Sequence, residues 1–87
     1  MLEKLIQTLL LDRYLLITIN EEKEIRSYPI YLLHLYREKS IWLIEGFDLK
    51  EGKKQIFPVD NLTSVEPYPV NKRVSRKNII EKITGII

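Results

Sequence analysis

The sequence predicts a mainly β protein, a small five-stranded barrel with a helix at its N-terminus. Segments rich in β-branched and aromatic residues recur at intervals of roughly ten residues from Tyr14 to Glu66. The residues before them have helical spacing. A chain of 87 residues has room for one core. We assign residues 1–70 to the barrel domain with its helix, and residues 71–87 to a basic and apolar tail.

The N-terminal helix is predicted from an apolar stripe at positions i, i+3, i+4, i+7 and i+8. Its members are Leu2, Leu5, Ile6, Leu9 and Leu10. A helix of about three turns is marginally stable in isolation, so this stripe must dock on another part of the molecule. We expect the helix to close one open end of the barrel.

Strands are predicted where β-branched and aromatic residues concentrate. These segments run over 14–19, 24–28, 30–36, 41–47, 55–59 and 63–66. Polar turns at 20–23 and 37–40 connect hairpins. The six segments are one more than the five short strands of the Sm/SH3-like barrel that we predict from the pattern. Pro29 lacks a backbone donor, so we expect it at an edge, a bulge or a strand boundary. Gly46 is expected at a bulge or sharp bend.

The tail from Asn71 is predicted to form a second helix, with Ser75 as its cap. Its apolar face would contain Ile79, Ile80, Ile83 and Ile87. Cations crowd the start of this helix and its face is β-branched, and both features oppose an independent helix. We therefore expect the tail to become helical against a partner surface.

Composition narrows the functional classes. The 45% hydrophobic and 30% charged residues are typical of a globular chain, and the absence of cysteine excludes disulfides and thiolate metal sites. No apolar stretch approaches the roughly 18 residues of a membrane span, so a cytoplasmic protein is expected. Residues 1–71 carry a net charge of −2 and residues 72–87 one of +4. The excess positive charge therefore lies in the tail.

No residue pattern predicts catalysis, a metal or a cofactor. His34, the single histidine, is expected to be half-buried with one nitrogen satisfied rather than to bind zinc. The serines lie in no nucleophile motif, and isolated glycines exclude a phosphate-binding loop. Asp48 and Asp60 are expected to organise turns, and Trp42 and Phe57 to lie in the core. We therefore expect a protein that is not an enzyme.

Four short motifs follow one another between Arg13 and Glu66. They are Pro29-Ile30-Tyr31, Trp42-Leu43-Ile44, Gly46-Phe47-Asp48, and the series Phe57, Val59, Asp60 and Leu62. In this order and spacing they resemble the WYL domain, a small β-barrel that usually serves as the sensor half of bacterial transcription regulators. Leu43 and Ile44 stand where the family has tyrosine and leucine.

The resemblance implies a non-catalytic ligand-sensing domain linked to transcriptional regulation, with a nucleotide or nucleic-acid fragment as effector. The implied ligand residues are Arg26, Tyr31, Trp42, Gln55 and Asn61. Gln55, Pro58 and Asn61 stand where the family commonly carries arginines, and Ile25 replaces another. Arg26 is adjacent, but a one-residue step turns a side chain to the opposite face of a sheet. Loss of these guanidinium groups is expected to weaken an anion site.

Two other functions stay open. The basic tail is either a solvated linker or a surface for single-stranded nucleic acid, which it would contact through phosphates and base stacking. The residues of that surface are Tyr68, Lys72, Arg73, Arg76 and Lys77. Alternatively, exposed barrel edges and the apolar segment 79–87 predict a structural or oligomerisation module.

The neighbours that the resemblance implies are not visible in the sequence. WYL regulators place a helix-turn-helix domain before the barrel, and the predicted N-terminal helix is too short to supply one. The chain is therefore expected to be a stand-alone barrel, a degenerate relative or an excised piece of a regulator. The expected macromolecular partners are a DNA-binding regulator or a second copy, with no membrane association.

Overall fold

The computed structural model describes residues 1–69 and 76–84, with the side chains of Arg76, Lys82 and Thr84 excepted. The elements are α1 (Leu2–Leu11), β1 (Tyr14–Glu21), β2 (Glu24–Glu38), β3 (Ile41–Asp48), β4 (Lys53–Pro58), a 3-10 turn (Val59–Asn61), β5 (Leu62–Pro67) and α2 (Arg76–Thr84). The predicted mainly β class with an N-terminal helix is confirmed.

All five strands belong to one antiparallel sheet with the order β4-β3-β2-β1-β5. Each neighbouring pair is antiparallel, and three of the four pairs are consecutive in the chain. A closed barrel would require β4 to pair with β5. Within the described residues these two strands remain the edges of an open sheet, so the closure predicted from the sequence is not shown.

Strand β2 is 15 residues long and merges two segments that the sequence pattern separates at Pro29. Pro29 lies opposite Leu16 of β1, and its carbonyl accepts a hydrogen bond of 2.9 Å from the Leu49 amide. Because N–H and C=O of one strand residue point to the same side, the missing donor faces the turn after β3. The ladder with β1 therefore loses no bond, and the strand continues through the proline.

The main core lies on one face of the sheet, where alternate side chains from all five strands meet α1. Its buried members are Leu5, Leu15, Ile17, Ile19, Ile30, Leu32, Ile44, Phe57, Val59, Leu62 and Val65. Gly46 permits this packing, because a Cβ added there would lie 2.8 Å from Ile30 Cδ1. Gly46 also pairs with Leu32, beside the point where the register of β2 against β3 shifts, so the predicted bulge is present there, on the facing strand.

Helix α1 contributes a narrower stripe than the sequence predicts. Leu5 is fully buried, and Leu2 and Leu9 pack against the core. Ile6 and Leu10, which belong to the predicted stripe, are 41% and 81% exposed. Thr8, which is outside the predicted stripe, is buried as well. The buried face of the helix therefore contains Leu2, Leu5, Thr8 and Leu9, and Ile6 and Leu10 face solvent.

The opposite face of the sheet carries a second, smaller core beneath α2. Tyr31, Phe47 and Ile79 are buried there, and Ile83 and Leu49 pack against them. The partner surface that the tail helix is expected to need is therefore the sheet of the same chain. Ile80, predicted on the apolar face of the helix, is 48% exposed. Asn71, Ser75 and Ile87 lie outside the described residues.

Two side chains expected inside the protein lie at its surface. Trp42 is 37% exposed, whereas Phe57 is buried as predicted. The pairing of β2 with β3 extends to Glu38 opposite Ile41, beyond the ends of β1 and β4, so Trp42 lies on a projecting hairpin. The side chain of His34 is 71% exposed, with Nε2 3.8 Å from Glu45 Oε1. The half-buried histidine expected from the sequence is therefore wrong.

Candidate functional site: a groove at the first hairpin

A groove of about 710 Å³ opens at the end of the β1–β2 hairpin. We call it the hairpin groove; it is lined by Asn20, Glu21, Glu22, Lys23, Glu24, Arg26 and Asn61. The tight turn Glu22-Lys23 forms one wall, with Glu22 at a φ of 51°. The 3-10 turn between β4 and β5 supplies Asn61 from the other side. Two predicted ligand residues, Arg26 and Asn61, therefore share one concave surface.

The charge of Arg26 is already engaged by carboxylates of the groove. Its Nε and Nη2 donate hydrogen bonds of 3.0 and 2.8 Å to Glu24 Oε2, and Nε lies 3.9 Å from Glu21 Oε2. The hydrogen bond with Glu24 raises the pKa of Arg26, so the group stays cationic. With three glutamates against Lys23 and Arg26, the lining has no excess of positive charge.

Tyr28 connects this charge network to the core. Its hydroxyl donates a hydrogen bond of 2.8 Å to Glu21 Oε1, and its ring lies 5.1 Å from that of Phe57. Burial, followed by the bond to Glu21, raises the pKa of Tyr28 above its ordinary value. Tyr28 therefore stays neutral, and its hydroxyl holds Glu21, one of the glutamates that line the groove, in place.

A second cavity, of about 270 Å³, adjoins the groove at Arg26. Its other lining residues are Ser27, Tyr28, Pro29, Asp48, Lys50 and Glu51. Asp48 is 1% exposed; its Oδ1 accepts bonds from the amides of Lys50 and Glu51, and its Oδ2 accepts one from Gln55 Nε2 at 2.6 Å. Asp48 thus organises the β3–β4 turn, as predicted. Gln55 does not line the cavity itself but bonds to Asp48, which does.

The other predicted ligand residues lie elsewhere. Tyr31 is 6% exposed under α2, in an edge-to-face contact with Tyr14 at 4.9 Å. Trp42 lies on the projecting hairpin, opposite Arg37. Arg26 and Asn61 therefore line the same groove. Gln55 bonds to Asp48, which lines the adjoining cavity, and Tyr31 and Trp42 line neither of the two.

Sequence reasoning missed Glu21, Glu24 and Tyr28. One signal was readable. Glu24 and Arg26 are two residues apart on one strand, so their side chains share a face and pair. The contact from Tyr28 to Glu21 joins residues on two strands, and it depends on the register of the hairpin.

The predicted nucleic-acid surface is described only in part. Tyr68 is half-buried, and its amide donates a hydrogen bond of 2.9 Å to the Tyr14 carbonyl. Lys77 is exposed on α2. Lys72 and Arg73 lie outside the described residues, as does the side chain of Arg76, which begins α2.

Within residues 1–69 and 76–84, no three histidine, cysteine or acidic side chains are grouped to hold a metal ion. None of the helices described there is both long and apolar enough to cross a bilayer.

Comparison with solved structures shows that the fold occurs within a larger protein. The chain is similar to proteasome accessory factor B/C (PafBC) of Arthrobacter aurescens, with a TM-score of 0.71 and 21% sequence identity. The match covers 91% of this chain and 12% of the PafBC chain, so the chain spans a small part of that protein. No family model matches the sequence, and no curated protein matches it significantly. At this identity the similarity shows a shared fold alone.

Proposed function

We propose that the chain is a non-catalytic regulatory domain that senses a ligand in the service of transcriptional control. The observation that carries the proposal is the meeting of Arg26 and Asn61, two residues implied by the WYL-like pattern, in the hairpin groove. The fold shared with a segment of an accessory factor supports a role as one module of a larger assembly. In this proposal the strands curl into the Sm/SH3-like barrel that the sequence predicts.

The proposed effector is a nucleotide or a short nucleic-acid fragment. Its phosphate would displace Glu24 from Arg26, and the exposed Asn61 amide would bond to a base edge or a sugar hydroxyl. Because Glu24 and the phosphate compete for one guanidinium, binding is expected to be weak and to depend on how readily Glu24 is displaced. A regulatory sensor uses such a balance to respond to effector concentration.

Titration of the protein with AMP and with a short oligodeoxynucleotide, followed by amide NMR shifts, tests this proposal. We expect shifts at residues 20–26 and 61, and loss of binding in Arg26→Gln. Glu24→Gln should strengthen binding, because it frees Arg26 while keeping the side chain shape. Arg37→Gln, an exposed arginine on the projecting hairpin, is the matched control.

Two results would refute the groove as the site. One is the absence of saturable shifts with either probe. The other is binding that survives Arg26→Gln but is lost when Lys77, together with the remaining tail cations, is reversed in charge. That second result would favour nucleic-acid contact through the tail, whose affinity should fall steeply with salt.

A structural or self-association role is the second candidate, because apolar side chains of α1 face solvent. Leu10 and Leu11 are each 81% exposed, and Ile6 is 41% exposed. Isolated exposed leucines are ordinary, but three apolar side chains on one short helix form a patch of the kind that partners cover. Sedimentation velocity of the whole chain and of Leu10→Lys tests this role. A monomer at all concentrations in both would end it.

A further inference from the structure

A third pocket, of about 280 Å³, lies between the middle of β2 and helix α2. We call it the Arg13 pocket; it is lined by Arg13, Tyr31, Leu32, Leu33 and Ile80. It shares no lining residue with the hairpin groove. Most of its wall is aliphatic or aromatic, and its one charged lining residue is a cation.

Arg13 is held in place while part of its guanidinium stays available. Its Nη1 donates a hydrogen bond of 2.8 Å to the Leu32 carbonyl and a longer one, of 3.5 Å, to the Leu33 carbonyl. These bonds cap the bulge where the register of β2 against β3 shifts between Leu32 and His34. Among the described residues, Nε and Nη2 donate to no protein group and no carboxylate lies within 4.0 Å of Arg13. Arg26, in contrast, is paired with Glu24.

Tyr31, which also lines the pocket, has an unbonded hydroxyl. The side chain is 6% exposed, and its interaction among the described residues is the ring contact with Tyr14. Every fully buried side-chain oxygen or nitrogen of the described residues has a hydrogen-bond partner. The unbonded Tyr31 hydroxyl is therefore accessible to solvent. A largely buried polar group without a partner is costly unless a ligand or water satisfies it.

We propose that the Arg13 pocket binds a small monocarboxylate with a short apolar tail. A carboxylate matches a planar guanidinium edge and accepts a hydrogen bond from the tyrosine hydroxyl. Leu33 and Ile80 would cover the tail, whereas Leu32, whose side chain is buried in the main core, contributes only its backbone to the pocket. A doubly charged phosphate fits less well, because one cation among apolar walls leaves its second charge without compensation. The volume is near the lower end for ligand sites and suits an acid of a few carbons.

Hexanoate is the probe, with hexanamide as its neutral analogue and acetate as the acid without a tail. We expect hexanoate to shift the amide signals of Leu32, Leu33 and Ile80 saturably, and the other two probes to bind more weakly by roughly tenfold. Tyr31→Phe removes only the unbonded hydroxyl, so it should leave the fold intact and weaken hexanoate binding by about tenfold. Arg13→Gln should abolish the binding, and Arg37→Gln should not change it.

The proposal is overturned if hexanoate causes no saturable shift at millimolar concentration. It is equally overturned if hexanamide binds as tightly as hexanoate, or if Tyr31→Phe and wild type bind alike. Because Arg13 also caps the bulge, its variant alone would be ambiguous, and the Tyr31 result decides. Nucleotide shifts at residues 20–26 test the hairpin groove separately, so failure of one site leaves the other standing.

Discussion

Asp48 has a structural role at the turn between β3 and β4. Its buried carboxylate accepts bonds from the amides of Lys50 and Glu51 and from the Gln55 side chain, and its carbonyl accepts one from Gly52. Without Asp48, these donors would have no protein acceptor at the β3–β4 turn. The turn therefore depends on a single carboxylate.

Asp48→Ala is expected to lower the free energy of unfolding by about 1–3 kcal/mol, since it leaves three donors without their acceptor. Urea denaturation monitored by circular dichroism measures the change. Asp60 is also predicted to organise a turn, but its exposed side chain makes no hydrogen bond among the described residues. Asp60→Ala is therefore the control and should stay within about 0.5 kcal/mol of wild type. Equal effects for the two variants would contradict the role given to Asp48.

The pKa of Tyr28 provides a test that depends on pH. Burial and the bond to Glu21 raise this pKa in the folded protein above the ordinary 10.0. The neutral hydroxyl is therefore favoured by folding, and its contribution to stability is complete below pH 10.0 and lost as pH rises through the folded pKa. Absorbance titration of wild type and Tyr28→Phe should differ by a tyrosine that ionises above pH 10.0. If the tyrosine lost in the variant ionises at or below pH 10.0, the network is not formed.

The sequence predicts which residues carry functional groups better than it predicts where those groups lie in the structure. Arg26 and Asn61, both predicted as ligand residues, line one groove, because the hairpin register and the turn before β5 place them on its two sides. The prediction that Trp42 lies in the core is wrong, since its exposure depends on how far the β2–β3 hairpin projects. The free hydroxyl of Tyr31 depends on the positions of neighbouring side chains, which no spacing in the sequence encodes.

At the scale of elements, the bulge in β2 decides which face of the sheet each segment supplies. Ile30 and Leu32 lie in the main core, and beyond the bulge Leu35 packs against it, so the inward positions change from even to odd numbers. At the bulge itself, Leu33 packs with the smaller core under α2 and His34 is exposed. The apolar run 30–36 does not reveal this change, because residues on both faces are hydrophobic and alternation is hidden.

Helix α2 should detach without unfolding the sheet, because its contacts form a core separate from the main one. Ile79→Ala truncates a fully buried side chain of this helix and should lower protection of α2 amides in hydrogen exchange. Protection in β1 and β2 should persist. Ile80→Ala, which alters the adjacent exposed isoleucine, should leave both regions protected. Simultaneous loss of protection in α2 and β1 would show a single cooperative unit.

At the scale of the whole molecule, one sheet carries a core on each face, and its two edge strands pair with no further strand within the described residues. Both edge strands are six residues long and end in proline, Pro58 in β4 and Pro67 in β5. Strand β4 also begins with two exposed lysines, Lys53 and Lys54. Short length, proline and lysine are the features by which natural sheets resist pairing edge to edge. Any self-association is therefore expected through side-chain surfaces such as α1 rather than through added strands.

Replacing both edge lysines by threonine should increase self-association, because threonine favours strands and removes the charge that opposes a second β4. Light scattering over a concentration series should give a larger average mass for Lys53→Thr/Lys54→Thr than for wild type. The control, Lys23→Thr/Lys50→Thr, loses the same charge from two turns that lie outside the edge strands. If control and test variants associate equally, net charge rather than the edge of β4 keeps the molecules apart.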